Sequence, residues 1–224
     1  MRTLFQTIKQ QFLEENDLVL ASITASSGST PRGAGSRMLV GKHGRITGTI
    51  GGGAVEYRAE LMALDILEKK ESDEHEFRLN RKDVENIGMI CGGDVTVFFQ
   101  YLDHNDPIVM EIAETAEKSY EERKDFWLIC DLHATSGMSL YSPCYGLIGN
   151  ADVPSSILSS LSAHPGIFPS EYSAGIMMEL YPINTVHKLS VPLPVSFCLR
   201  KEPDTPTFNR VVFVISISTF IRYV

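Results

Sequence analysis

Leu4, Ile8 and Phe12 recur every four residues with Phe5 beside them and polar residues between, so residues 1–15 are expected to form an amphipathic helix. The cluster Glu14-Glu15-Asn16-Asp17 closes it. Leu18 to Thr24 is rich in branched apolar residues and predicts a strand; Ser36 to Val40 and Arg45 to Ile50 predict two more, joined by a hairpin turn over Gly41-Lys42-His43-Gly44. A second helix is expected from the glycines at 51–53 to about Lys70, with Val55, Ala59, Met62 and Ile66 on one stripe, widened by Leu61 and Leu64. His75 to Leu79 and Asp94 to Leu102 are expected strands, the latter placing Val95, Val97, Phe99 and Tyr101 on one face. A helix over Pro107 to Lys118 follows, then strands at Phe126 to Asp131, Met138 to Ser142 and Leu147 to Asn150, a short helix at Pro154 to Leu161 and a strand at Ala174 to Ile183. Such alternation predicts an α/β fold, a mixed sheet with flanking helices, and no internal repeat interrupts it.

Composition narrows the function. The 224 residues suit one large domain or one domain plus a fragment, and 43% hydrophobic content supplies a core. A net charge of −8 argues against a general nucleic-acid binder, which needs a basic face, although a local pocket on an acidic protein can still hold a small anion. Cys91, Cys130, Cys144 and Cys198 form no CxxC pair and the histidines are scattered, so no zinc framework is expected. The amino terminus lacks a long apolar segment and Val211 to Ile221 is too short to span a bilayer as a helix, so no membrane association and a cytoplasmic location with free thiols are expected.

Three glycine-bearing segments carry the candidate chemistry. Ser26 to Arg37 joins two strands and holds Ser29, Thr30, Arg32 and Arg37; its hydroxyls and two guanidinium groups all donate hydrogen bonds, and a planar guanidinium matches phosphate oxygens two at a time. A polar surface loop would have the same composition. Gly51-Gly52-Gly53-Ala54-Val55-Glu56 runs from a strand into a helix start, where unpaired N–H groups and the dipole favour an oxyanion. It is neither a P-loop nor a full GxGxxG fingerprint, and Glu56 in the first turn suits the dipole without further duty. Met89 to Asp94 sets Cys91 before Gly92, Gly93 and a strand; an open thiolate there would carry sulfur or touch a soft metal such as molybdenum, whereas a buried cysteine is simply a small hydrophobe. Together these groups suit a large, anionic, sulfur-bearing ligand with a phosphate tail. No nucleophile paired with a base stands out: His43 lies in a turn, His75 in an acidic stretch, and His104 at an expected helix start reads as polar surface.

The same segments carry a family resemblance. Gly28-Ser29-Thr30-Pro31-Arg32 with Gly35-Ser36-Arg37-Met38, Gly51-Gly52-Gly53 with Val55-Glu56, and Gly88-Met89-Ile90-Cys91-Gly92-Gly93 resemble, in order and spacing, three motifs of the xanthine dehydrogenase accessory (XdhC/CoxI) family. The resemblance is strong over residues 5 to 103 and weak onward to Leu189. It implies a chaperone without catalytic residues of its own. Such a protein binds molybdenum cofactor (molybdopterin) transiently, assists its sulfuration with a cysteine desulfurase, and inserts it into a molybdenum hydroxylase apoenzyme such as xanthine or aldehyde dehydrogenase. By resemblance Ser29, Thr30, Arg32, Arg37, Gly51, Gly52, Gly53, Glu56, Cys91, Gly92 and Gly93 become cofactor-site candidates, with Cys91 facing molybdenum or incoming sulfur. A homodimer is a further implication.

The resemblance assigns residues 1–188 to the cofactor-handling domain, with its motifs in 26–94, and breaks off at the tail, residues 189–224. Leu180 to Leu189 looks like the lead-in to the family's second, Rossmann-like domain, but no glycine follows Gly175. Truncation or a shifted reading frame near Ser190, or an alternative carboxyl-terminal segment, is expected, with residues 190 to 210 poorly ordered. Two rival readings stand beside the chaperone. A nucleotide-dependent oxidoreductase would need a complete dinucleotide fingerprint, which the chain lacks, so NAD is not expected. The other rival is an inactive fragment acting as an interaction module.

Overall fold

The first apolar stripe folds as helix α1 (Arg2–Leu13), burying Leu4, Phe5, Ile8 and Phe12. In this computed structural model, residues 2–28, 30, 32–78, 93–132, 137–151, 153, 155, 158, 176–181 and 196–198 are described. The chain continues through β1 (Leu18–Gly28), β2 (Arg37–Gly41), β3 (Gly44–Gly48), α2 (Gly53–Lys69), β4 (Asp73–Arg78) and β5 (Gly93–Leu102). Helix α3 (Pro107–Glu122) leads into β6 (Phe126–Asp131), β7 (Met138–Ser142), β8 (Gly146–Gly149), β9 (Ile176–Tyr181) and β10 (Ser196–Cys198). The expected α/β fold with flanking helices forms as two five-stranded sheets, β3-β2-β1-β5-β4 and β10-β9-β6-β7-β8, in which every described pairing is antiparallel.

Both faces of the first sheet are covered, which is why β1 and β5 read as nearly continuous apolar runs. On one face Val19, Ala21, Ile23, Met38, Val97 and Phe99 meet Val55, Ala59, Ala63 and Ile66 of α2. On the other, Leu18, Leu20, Leu39 and Leu102 join the stripes of α1 and α3 and the inner residues Phe126, Leu128 and Leu140 of the second sheet. Phe126 receives Phe5 edge-on at 5.9 Å and Tyr120 at 5.7 Å between ring centroids. Each fully buried side chain of this size contributes about 1.5–3 kcal/mol.

Helix α3 starts at Pro107, not at His104: the Asp106 carboxylate accepts from Ile108 N–H at 2.9 Å, and proline fits the first helical position because its missing donor is not needed there. His104 instead belongs to a knot that ties three chain segments together. Its backbone N–H donates to Asp17 Oδ1 at 3.1 Å and its ring Nδ1 lies 2.6 Å from the same oxygen. The Tyr101 hydroxyl donates to Asp17 Oδ2 at 2.7 Å, and Lys70 Nζ stands 3.4 Å away. Partial burial pushes the Asp17 carboxyl up, but the bonds from His104, Tyr101 and Lys70 more than offset it and hold the group down at about 2, below the ordinary 3.8. Burial, followed by the bond to Asp17, pushes the Tyr101 phenol upward.

The expected short helix at 154–161 falls largely outside the described residues. Within 190–210, Ser196–Cys198 pairs with β9, Phe197 opposite Met178; the rest of that segment lies outside the described residues.

A carboxylate whose folded-state pKa is depressed stabilises the fold above its unfolded value and ceases to do so as pH falls through the folded one. Asp17→Asn is therefore expected to lower stability by about 1–3 kcal/mol at neutral pH. The gap to the parent should narrow as pH drops from 3.8 towards 2. Urea unfolding over that range measures it, and a pH-independent gap would contradict the assignment.

Candidate functional site

Antiparallel pairing decides where the three motifs go. β1 rises to Gly28, β2 returns from Arg37, β3 rises to Gly48 and β5 returns from Gly93, so all four ends lie at one end of the first sheet. The knot around Asp17 lies at the opposite end, where Leu18 faces Leu102.

The first and second motifs are side by side. Gly35 N–H donates to Ile23 O at 2.9 Å, Ile23 N–H to Ser36 O at 2.9 Å, and Thr49 N–H to Arg37 O at 2.8 Å. Gly48 makes this approach feasible: its φ is 79°, and a Cβ there would sit 2.3 Å from Arg37 O. The third motif enters from a different level. β1 and β5 continue as an arm beyond the Ser22–Arg37 pair to the Gly28–Gly93 pair, a further six residues or roughly 20 Å along the strands. Ser29, Cys91 and Gly92 fall outside the described residues; Gly93 opens β5.

The two arginines of the first motif differ in kind. Arg32 is exposed. Arg37 is 5% exposed, and its Nε donates to the Ser22 hydroxyl at 3.1 Å on the sheet face shared with Leu39 and Leu20. Buried guanidinium groups are retained where they are hydrogen-bonded, so Arg37 acts from beneath the loop, whereas Arg32 is placed to meet a solute.

Glu56 is also occupied. Its two carboxylate oxygens take the Arg45 guanidinium and the Thr49 hydroxyl, and Thr49 Oγ1 accepts from Gly51 N–H at 3.2 Å. The carboxylate thus fastens α2 to β3 and shapes the glycine turn. Arg45 and Thr49 were not among the sequence candidates. Thr49, two residues before Gly51, was the available signal, since a hydroxyl in that position commonly bonds the turn backbone.

What remains open is the start of α2. The preceding residue, Gly52, has φ 139° and brings no side-chain cap, and a Cβ on it would meet nothing within 4 Å. No side chain of the capping residue takes the first-turn N–H groups, and the positive end of the helix dipole lies behind them, which favours phosphate or another oxyanion. Asp17, Asp103 and His104 also bring three potential metal-binding atoms within 4.8 Å of one another. There, Lys70 and the Tyr101 hydroxyl take up Asp17 Oδ2 and His104 takes up Oδ1, so both carboxylate oxygens already have partners.

The model of the family described as XdhC and CoxI matches residues 13–78. Over this segment the chain is similar to the XdhC and CoxI family. The XdhC and CoxI match takes in the first two motifs and stops before the third. Two Escherichia coli (strain K12) proteins are similar. The uncharacterized protein YqeB is 39% identical over 88 residues, 38% of this chain and 16% of YqeB. The molybdenum cofactor insertion chaperone PaoD is 23% identical over 219 residues, 89% of this chain and 69% of PaoD. A crystal structure described as a xanthine dehydrogenase from Bacillus halodurans shares the fold, with a TM-score of 0.62 at 14% identity over 81% of this chain. The chain spans 52% of that structure.

Arg37→Ala is expected to destabilise the fold by about 1–3 kcal/mol, since it strips a buried hydrogen-bonded charge. Arg32→Ala should stay within about 0.5 kcal/mol of the parent. Paired urea denaturation curves check this, and equal losses would place both guanidinium groups in the same environment.

Proposed function

We propose that this chain binds molybdenum cofactor at the glycine-bearing end of its first sheet and acts as a maturation chaperone, without turnover of its own. The observation that carries the reading is the start of α2, without a side-chain cap from Gly52, beside the Gly33–Arg37 segment, towards the sheet end where Gly93 opens β5. The likeness to PaoD, a molybdenum cofactor insertion chaperone, adds the ligand class. The amides at Gly52 and Gly53, with Arg32, Ser29 and Thr30, take the phosphate or pterin, and Gly51 shapes the turn through its bond to Thr49. Arg37 and Glu56 hold the loops in place. Cys91, with Gly92 and Gly93, faces the dithiolene, the molybdenum or incoming sulfur. In this role the chain works in the cytoplasm, receives sulfur with the help of a cysteine desulfurase and hands the cofactor to a molybdenum hydroxylase apoenzyme such as xanthine or aldehyde dehydrogenase. Residues 1–188 carry this activity. Among the described residues no helix is long and apolar enough to cross a membrane.

Equilibrium dialysis of the purified chain against molybdenum cofactor tests the reading. Removing a charge-assisted contact weakens binding by about tenfold or more. Arg32→Ala and Cys91→Ala are each expected to show that loss with folding unchanged. Unaltered binding by both would overturn the site. No binding by the parent would favour an interaction module, and reduction of a dye by a nicotinamide would favour an oxidoreductase.

A further inference from the structure

Helix α2 is apolar on two sides. Its inner stripe, Val55, Ala59, Ala63 and Ile66, meets the first sheet. Tyr57 and Leu61, one turn apart and therefore on one face, stand 64% and 49% exposed. Leu61 and half-buried Met62 line a cleft of about 350 Å³ between α2 and the face of β4 that carries His75 and Phe77. Those two rings meet edge-on at 4.7 Å. A lone exposed leucine is ordinary on a protein surface. An exposed tyrosine and leucine that run into an apolar cleft form a patch of the kind that partners cover.

The charges around the cleft are sorted. Glu56 and Glu60 are turned to β3, where they take the Arg45 guanidinium and the Arg45 backbone N–H. Arg58, on the cleft side, makes no ion pair among the described residues. Arg78 stands 3.1 Å from Glu76. Two guanidinium groups against one carboxylate make this rim positive on a chain whose net charge is −8. A polyanion would be repelled by that net charge, whereas a segment with a few carboxylates meets the local one.

We infer that this face of α2 docks another protein, through a segment that sets an apolar side chain in the cleft and carboxylates against Arg58 and Arg78. The cleft is at the small end of ligand pockets and suits an anchoring side chain. Tyrosine and arginine around a pocketed anchor are the residue types that carry most of the energy at protein interfaces. The location fits a transfer partner. Arg58 lies five residues beyond Gly53, roughly 8 Å along the helix, and Arg78 pairs with Asp94 beside Gly93. A protein held here stands next to a ligand held at the start of α2. Its identity as the recipient of the cofactor rests on the proposed chaperone role; the docking itself does not.

Amide chemical-shift mapping of the full chain with two short peptides tests the inference. One carries a central leucine–phenylalanine pair flanked by aspartate and glutamate, and the other carries the same pair flanked by lysines. The acidic peptide should shift residues 57–62 and 75–78, and the lysine peptide should leave them in place. Arg58→Glu should weaken the acidic peptide by about tenfold and let the lysine peptide bind. Leu61→Ser should weaken the acidic peptide with the fold unchanged. Cofactor affinity of Arg58→Glu should equal the parent's, so that the docking face and the cofactor site fail separately. No shift on this face, equal binding of both peptides by the parent, or an acidic peptide indifferent to Arg58→Glu would each overturn the inference. So would loss of cofactor binding by Arg58→Glu, or self-association of the parent that Leu61→Ser abolishes, which would make the occupant a second copy.

Discussion

Strand β1 has a partner on each side, and both run against it. Ser22 lies opposite Arg37 on one side and Phe98 on the other, and from these registers the rest of the first sheet follows. Because each pairing is antiparallel, Gly28 of β1, Arg37 of β2, Gly48 of β3 and Gly93 of β5 lie towards the same end of the sheet, Gly28 and Gly93 on its longer arm. A slip of one residue would move Val19, Ala21 and Ile23 from the α2 face to the opposite one, so the burial of both faces locks the register and the loops with it.

The two ends of this sheet are built differently. At the Asp17 end, carboxylate, imidazole, phenol and ammonium groups satisfy one another, and the result is a clasp between the end of α1, the end of α2 and the turn before α3. At the other end the polar side chains secure the backbone: Arg37 to Ser22, Glu56 to Arg45 and Thr49. The donors they leave over belong to the main chain at Gly52 and Gly53 and to exposed Arg32. Main-chain donors fixed by a buried scaffold bind an anion without first having to be ordered, which favours affinity at little entropic cost.

Much of this was legible in the sequence. The i, i+4 stripe of α1, the α2 stripe and the alternating face of β5 describe burial patterns set by local geometry, and the structure places Leu4, Ile8, Phe12, Val55, Ala59, Val95 and Phe99 in the core accordingly. The glycine motifs were legible as backbone features because their conformations are local. What eluded the sequence is what depends on neighbours distant in the chain. Nothing local distinguishes Arg37, which is buried, from Arg32, which is exposed. His104 reads as surface until Asp17, 87 residues earlier, is brought beside it.

The convergence of the motifs on one ligand is tested most directly by amide chemical-shift mapping as molybdenum cofactor is titrated into isotopically labelled protein. Shared binding predicts concerted shifts at Gly33–Ser36, at Gly51–Gly53 and at Gly93, with Asp103–Asp106 at the far end of the sheet unmoved. Shifts confined to one motif, or appearing around Asp103–Asp106 instead, would contradict it.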